Sequence, residues 1–250
     1  MSILSELFNI KTKFTISFKS IYGAFAVATP VVPASDIKSK WMQDQKDKPF
    51  SKKFNSCPGM LDYSQAGYIV TAYTNIHIKA NSMGVIVKVD STAASQENNH
   101  RLQPATFDYE LVDNMTYIDK VKRTANKVPL PWTIKAKPGY SAYVLPALMH
   151  ADYLDKIFVY PGVVDYDDFY VINFVFSPIK ECEFTILAGT PLLQVIPFKR
   201  EVITAECDNA SIEDTNNYLF NIPARIANYY KKYLWKKKIF KISCPYKHRG

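Results

Sequence analysis

Between Lys137 and Arg200 the chain is a series of short apolar runs broken by Pro-Gly and Ala-Gly pairs, and this stretch limits the possible fold more than any other. Its runs include Tyr140-Ser-Ala-Tyr-Val-Leu-Pro, Tyr170-Val-Ile-Asn-Phe-Val-Phe and Pro191-Leu-Leu-Gln-Val-Ile-Pro-Phe. None holds apolar residues at three- and four-residue spacing for long enough to build a helix, so strands joined by tight turns are expected. The 17 Tyr and 15 Phe agree, since aromatic side chains suit pleated, half-buried surfaces. A chain of 250 residues can bury a sizeable core as one unit. The reading is a single mainly β domain over 1–214 with an extension over 215–250.

Charge separates those two parts. From Thr215 to Gly250 there are basic residues at Arg225, Lys231, Lys232, Lys236, Lys237, Lys238, Lys241, Lys247 and Arg249, and no acidic ones. They account for the whole net charge of +8, so the body is close to neutral and any attraction for a polyanion belongs to the extension. Cys57, Cys182, Cys207 and Cys244 show no Cys-x-x-Cys spacing and no paired histidines, so a zinc site is not expected and buried free thiols are. The N-terminus has an acid before its first base and no long apolar core, unlike a signal peptide, and no window is apolar for long enough to span a bilayer. A soluble protein made in a reducing compartment is the expectation, with no membrane contact.

Along the chain, Phe14–Phe18 and Tyr22–Val27 alternate as strands do, and Thr29–Asp36 is held extended by its prolines. Ser35 or Asp36 is placed to cap a helix over 36–45. Cys57-Pro-Gly opens a turn into the strand from Tyr68, while Ile76–Lys79 and Val85–Val89 sit at hairpin spacing. Ser91–Gln103 lacks periodicity and reads as an exposed loop. Leu130–Ala136 is a strand, and Ile226, Tyr229, Tyr230, Tyr233 and Leu234 recur as on a helix over 222–235.

Three segments of the central stretch resemble the core of the dUTPase and dCTP-deaminase superfamily. Pro138-Gly139-Tyr140 is similar to the family's first turn, Gly162-Val163-Val164-Asp165 to the opening of Gly-Val-Ile-Asp-x-x-Tyr-Arg-Gly, and Ala188–Val195 to Lys-Gly-Asp-Arg-Ile-Ala-Gln-Leu. The resemblance implies a dUTPase-like β-barrel (β-clip) core at about 130–200, carrying peripheral short helices and a basic C-terminal helix, with trimers as the assembly. It puts Asp165 where those enzymes keep their water-activating carboxylate, Gln194 in the third motif, Phe169 near the aromatic that packs on deoxyribose, and Tyr140 at the first turn. The family's Arg-Ser pair, however, falls on Ala147 and Leu148, which offer neither cation nor hydroxyl to a triphosphate. Neither the deaminase Ser-Arg and paired-Glu pattern nor a zinc-deaminase motif is present.

Over roughly residues 29–240 the chain also resembles a family of tailed-bacteriophage proteins. The shared segments are Val31-Val-Pro-Ala-Ser35 leading to Trp41, Cys57-Pro to Ala66-Gly-Tyr-Ile69, Pro131-Trp-Thr-Ile to Pro138-Gly-Tyr, and Tyr230-Lys-Lys-Tyr-Leu-Trp-Lys-Lys-Lys238. What this implies is a phage origin, in the virion or in the cytoplasm of the infected host.

Three functions follow as expectations. The first is a non-catalytic virion or assembly component, such as a capsid decoration protein, that binds itself and other phage structural proteins and needs no cofactor. The alternative is a nucleotide-binding or nucleotide-processing protein with Asp165 as its catalytic residue, a rearranged phosphate site and Mg2+ if it hydrolyses. The third is a small-ligand or host-protein binder. Asp165, Gln194, Phe169 and Tyr140 are the ligand-binding candidates, with Gln194 placed to read a base edge. In the bland roles Asp165 forms a turn by bonding its own backbone, and Gln194 satisfies a buried backbone group at a subunit contact. Lys231, Lys232, Trp235, Lys236, Lys237 and Lys238 are the residues that would grip nucleic acid or an acidic surface. The four histidines have no partner spacing.

Overall fold

The structure, a computed structural model, describes residues 16–20, 27–38, 57–90, 104–107, 125–168, 170–216 and 230–236. Strands take up almost half of these and every pairing is antiparallel, so the protein is mainly β. They form two five-stranded sheets and one of three strands. Among the described residues no sheet closes into a barrel.

The first sheet is built on β7 (Ala125–Lys135). One side of β7 carries β11 (Tyr170–Pro178), which pairs onward with β9 (Ile157–Val159). The other carries β1 (Ser17–Ser20) against Trp132–Lys135 and β6 (Ala105–Phe107) against Ala125–Lys127. Pro129 and Pro131 fall in the gap between β1 and β6, and the β11 register slips opposite them between Val171 and Asn173. A proline cannot donate to a ladder, so the chain places both where neighbours are missing or bulged. That is how the strand extends back to Ala125, five residues before the apolar pattern alone suggests.

The second sheet runs β10 (Gly162–Asp165), β8 (Tyr140–Pro146), β13 (Pro191–Lys199), β3 (Tyr68–Thr71), β2 (Val32–Pro33). The third is β12 (Cys182–Ile186), β4 (Ile76–Asn81), β5 (Gly84–Val89), in which the expected hairpin forms with the Asn81 side chain accepting from the Met83 and Gly84 amides. All three sheets feed one core. Val128, Leu130, Trp132, Ile134, Phe174 and Phe176 enter from the first, Ala142 and Val195 from the second, and Ile76, Ile78 and Ile186 from the third. The period of two does the sorting: on β4 Ile76, Ile78 and Ala80 point inward while His77 and Lys79 face water.

The helices depart from the sequence reading. Ala34–Asp36 makes a single 3-10 turn and Ile37 is already extended, so no helix begins at 36; 39–45 lies outside the described residues. The Cys57-Pro-Gly segment is the start of a helix, α1 (Pro58–Gln65), because proline fits a first helical position where no amide partner is needed. The next helix, α2 (Ile212–Thr215), is one turn capped by the Ser211 hydroxyl. Of the C-terminal helix expected over 222–235, the described part is a π-helical turn at Tyr230–Leu234. Cys57 and Cys207 are exposed, against the expectation of buried thiols; Cys244 and the loop at 91–103 lie outside the described residues. Among the described residues no helix is long and apolar enough to cross a membrane.

Candidate functional site

Asp165 is the last residue of β10 and lies opposite Ser141 of β8, which in turn lies opposite Phe198 of β13. This register carries the β13 strand on to Arg200 beside the end of β10. The Ser141 hydroxyl donates to Asp165 at 2.5 Å, and the Arg200 guanidinium lies 3.4 Å from the other Asp165 oxygen. Arg200 donates more closely to Asp167, at 2.5 Å. Asp167 also accepts from the Gly139 amide at 3.2 Å, and the Arg200 amide donates to the Gly139 carbonyl. The Lys137–Tyr140 turn, whose Gly139 has a φ of 85°, is thus fastened to the ends of two strands.

Sequence reading missed Ser141, Asp167 and Arg200. The Arg-Ser pair is indeed absent from Ala147 and Leu148, yet an arginine and a hydroxyl reach the same carboxylate from elsewhere in the chain. No spacing signals this, because the three residues meet only through strand register. The turn-forming role suggested for Asp165 is also corrected: Asp167 bonds a turn, and that turn belongs to another segment. The Arg200 hydrogen bond, with the Gly139 amide adding to it, holds the Asp167 carboxyl below the usual carboxylate range.

The cluster is one cation between two carboxylates, with all three side chains well exposed. A hollow of about 240 Å3 lies beside β10 and is lined by Val144, Tyr160, Val164, Tyr166, Ile172 and Val175. Val164 belongs to this lining, but Asp165 and Arg200 do not.

Gln194 is fully buried in β13. Its amide nitrogen donates to the Tyr63 and Ala66 carbonyls, both at 2.7 Å, where α1 ends. The last carbonyls of a helix lack intrahelical donors, so Gln194 satisfies backbone groups of its own chain, as a buried side chain with no open surface before it. Tyr140 is half-buried at the start of β8, and Phe169 lies outside the described residues. Ala147 is buried against Ala34 and Ile69, while Leu148 is exposed.

At the C-terminal end, Trp235 donates its indole N–H to Asp62 of α1 at 3.1 Å, so this side chain is docked on the body. Tyr230, Tyr233 and Leu234 are exposed, as are Lys232 and Lys236, whereas Lys231 is half-buried. Lys237 and Lys238 lie outside the described residues.

The histidines need a correction as well. His77 has no partner in sequence spacing, yet the β4 pairings set it between Thr185 and Asp90, both within hydrogen-bond distance. Among the described residues no group of three or more His, Cys, Asp or Glu side chains is placed to hold a metal ion. In comparisons with known proteins, no family model and no curated protein matches the chain.

Proposed function

We propose that the chain is a bacteriophage virion or assembly component, self-associating through a dUTPase-like core that does not turn nucleotides over. The observation that carries this reading is the commitment of Arg200 to Asp165 and Asp167. Two carboxylates around one guanidinium leave a site of net negative charge, which repels a triphosphate. The turns support the core assignment: Gly139 and Gly189, with φ of 85° and 84°, and Gly162 stand at the openings of β8, β13 and β10, where the resembled motifs have theirs.

Self-association is supported by what this face leaves uncovered. Among the described residues β10 is an edge strand, and its Val163 pairs in register with Tyr143 of β8; they are 59% and 44% exposed. Adjacent apolar side chains beside unpaired backbone groups favour a second copy over water. Lysines of the C-terminal segment supply a contact for nucleic acid or an acidic protein face. Mass spectrometry of purified virions, paired with light scattering of the isolated chain, tests the reading. Stoichiometric copies in the particle and a closed oligomer are expected; a monomer absent from virions overturns it.

A second reading, nucleotide processing, is favoured by the Ser141 hydroxyl and Arg200 beside Asp165. Incubation with dUTP and dCTP under Mg2+ separates the two. Pyrophosphate release or deamination that disappears in Asp165→Asn would replace the first reading with the second.

A further inference from the structure

The outer face of the third sheet carries a hydrogen-bonded line of a hydroxyl, an imidazole and a carboxylate. Thr185 of β12 lies opposite His77 of β4, and its Oγ1 is 2.9 Å from His77 Nδ1. On the far side of the ring, Nε2 is 2.7 Å from Asp90 Oδ1. The second Asp90 oxygen accepts from the Asn75 side-chain nitrogen at 2.8 Å, and the Asn75 side-chain oxygen accepts from the Ala188 amide at 3.0 Å. The hydrogen bonds from His77 and Asn75 hold the Asp90 carboxyl below the usual range, so the carboxylate is the form that faces the ring.

This arrangement dictates a proton pattern. A carboxylate can only accept, so the ring proton sits on Nε2 facing Asp90, and in the neutral imidazole Nδ1 then accepts from the Thr185 hydroxyl. That is the division of labour a hydroxyl nucleophile requires: a base on its proton and an acceptor fixing the tautomer of the base. Asn75 holds the acceptor in turn. The line opens on a hollow of about 410 Å3 whose lining includes His77, Thr185, Lys79, Lys88, Glu183 and Ile86. Lys79 is paired with Glu183 at 2.8 Å, whereas Lys88, opposite His77 in register, forms no ion pair among the described residues. Ile86, 54% exposed, gives the hollow an apolar patch.

The geometry points to an acyl-accepting site in which Thr185 is the nucleophile, His77 its base and Asp90 the positioning residue, acting on esters with a small apolar acyl group. Thr185 Oγ1 bonds to the ester carbonyl carbon as the bond from that carbon to the alcohol oxygen breaks. The hydroxyl proton passes to His77 Nδ1 and then to the departing alkoxide. Water repeats the step on the Thr185 ester, releasing the acid and restoring the hydroxyl. Ile86 suits the acyl chain, and Lys88 is the cation toward which a carbonyl oxygen gaining charge would be drawn. The site stands on a different sheet from Asp165 and is independent of the function proposed above. With its side chains about half exposed, its chemistry is slow, and acyl transfer is better read as a covalent label than as rapid turnover.

The test uses the full chain with p-nitrophenyl acetate at neutral pH, following nitrophenolate release together with peptide mass analysis. One acetyl group on Thr185 is expected, with Thr185→Ser labelled at the same position. Thr185→Val and His77→Gln should each lower the rate by about a hundredfold, the lower end of what a general base supplies. Asp90→Asn should lower it while leaving the circular dichroism spectrum unchanged. Acetyl groups found on Lys79 or Lys88 instead, or a rate unaffected by Thr185→Val, overturn the proposal. Release that persists in Thr185→Val but is lost in His77→Gln places the acyl group on the imidazole and overturns it too.

Discussion

Gln194 Nε2 lies 2.7 Å from the Tyr63 carbonyl, across 131 residues of chain, and this bond joins the end of α1 to the middle of β13. The same nitrogen reaches the Ala66 carbonyl, so one buried side chain satisfies two backbone acceptors. The bond matters most for the Ala66 carbonyl, since the Tyr63 carbonyl also accepts from the Ala66 amide and a buried carbonyl with no donor would be cut off from water.

Replacing Gln194 with Met keeps the volume and removes both bonds. The expected cost is about 1–3 kcal/mol, because the Ala66 carbonyl loses its partner while the Tyr63 carbonyl keeps the Ala66 amide. Chemical denaturation measures that loss, and amide exchange should speed up over Pro58–Gln65 ahead of the sheet. A variant as stable as the parent, with α1 amides equally protected, would show that the helix is held by packing alone.

Gly67 follows that carbonyl pair and turns the chain into β3 with a φ of 69°. A methyl group here would overlap the Val195 carbonyl oxygen and stand 2.9 Å from its carbon. Backbone that close cannot yield as a flexible side chain can, so Gly67→Ala is expected to lose about 3 kcal/mol or more. Gly162→Ala meets nothing within 4 Å and has no positive φ, so it should be nearly neutral in the same thermal melt.

How much of this was legible in the sequence depends on distance along the chain. Strand identity was, since the alternation of Ile76, Ile78 and Ala80 with His77 and Lys79 is written locally. The hairpin after Asn81 was legible for the same reason. The extent of β7 was not, because Pro129 and Pro131 break the local pattern and are tolerated only through the gap between β1 and β6. Asp165 could be singled out from its Gly-Val-Val-Asp setting. Ser141 and Arg200 could not, since their approach to it is a product of β8 pairing with β10 and β13. The same holds for His77, whose partners sit 13 and 108 residues away.

His150 supplies a dependence on pH. Its Nε2 donates to the Ser64 carbonyl at 3.4 Å, and burial pushes its pKa below the ordinary 6.5. The unfolded chain therefore binds a proton at a pH where the folded chain resists it, so stability rises with pH through this window. The contribution is fully present above about 6.5 and is lost as pH falls through the lower folded value. Denaturant midpoints for the parent and His150→Gln, measured from pH 8 down to 5, should converge at the acid end. Parallel curves would remove His150 as the cause.

Arg200 offers the most direct view of the cluster at the end of β10. Asp167 titrates below its ordinary 3.8, first because Arg200 donates to it and then because the Gly139 amide does. The depressed folded value makes the ionised cluster stabilising above 3.8, and that contribution disappears as pH falls through the folded value. Arg200→Gln removes the cation and leaves the Gly139 bond, so the Asp167 carboxyl should titrate closer to its ordinary value without reaching it. The groups are exposed, so added salt should weaken the coupling in the parent and have less effect in the variant. Carboxyl carbon shifts followed by NMR through an acid titration give both values. An Asp167 that titrates identically with and without Arg200 would mean that the guanidinium is not held there in solution, which would free it to act as a cation beside Asp165.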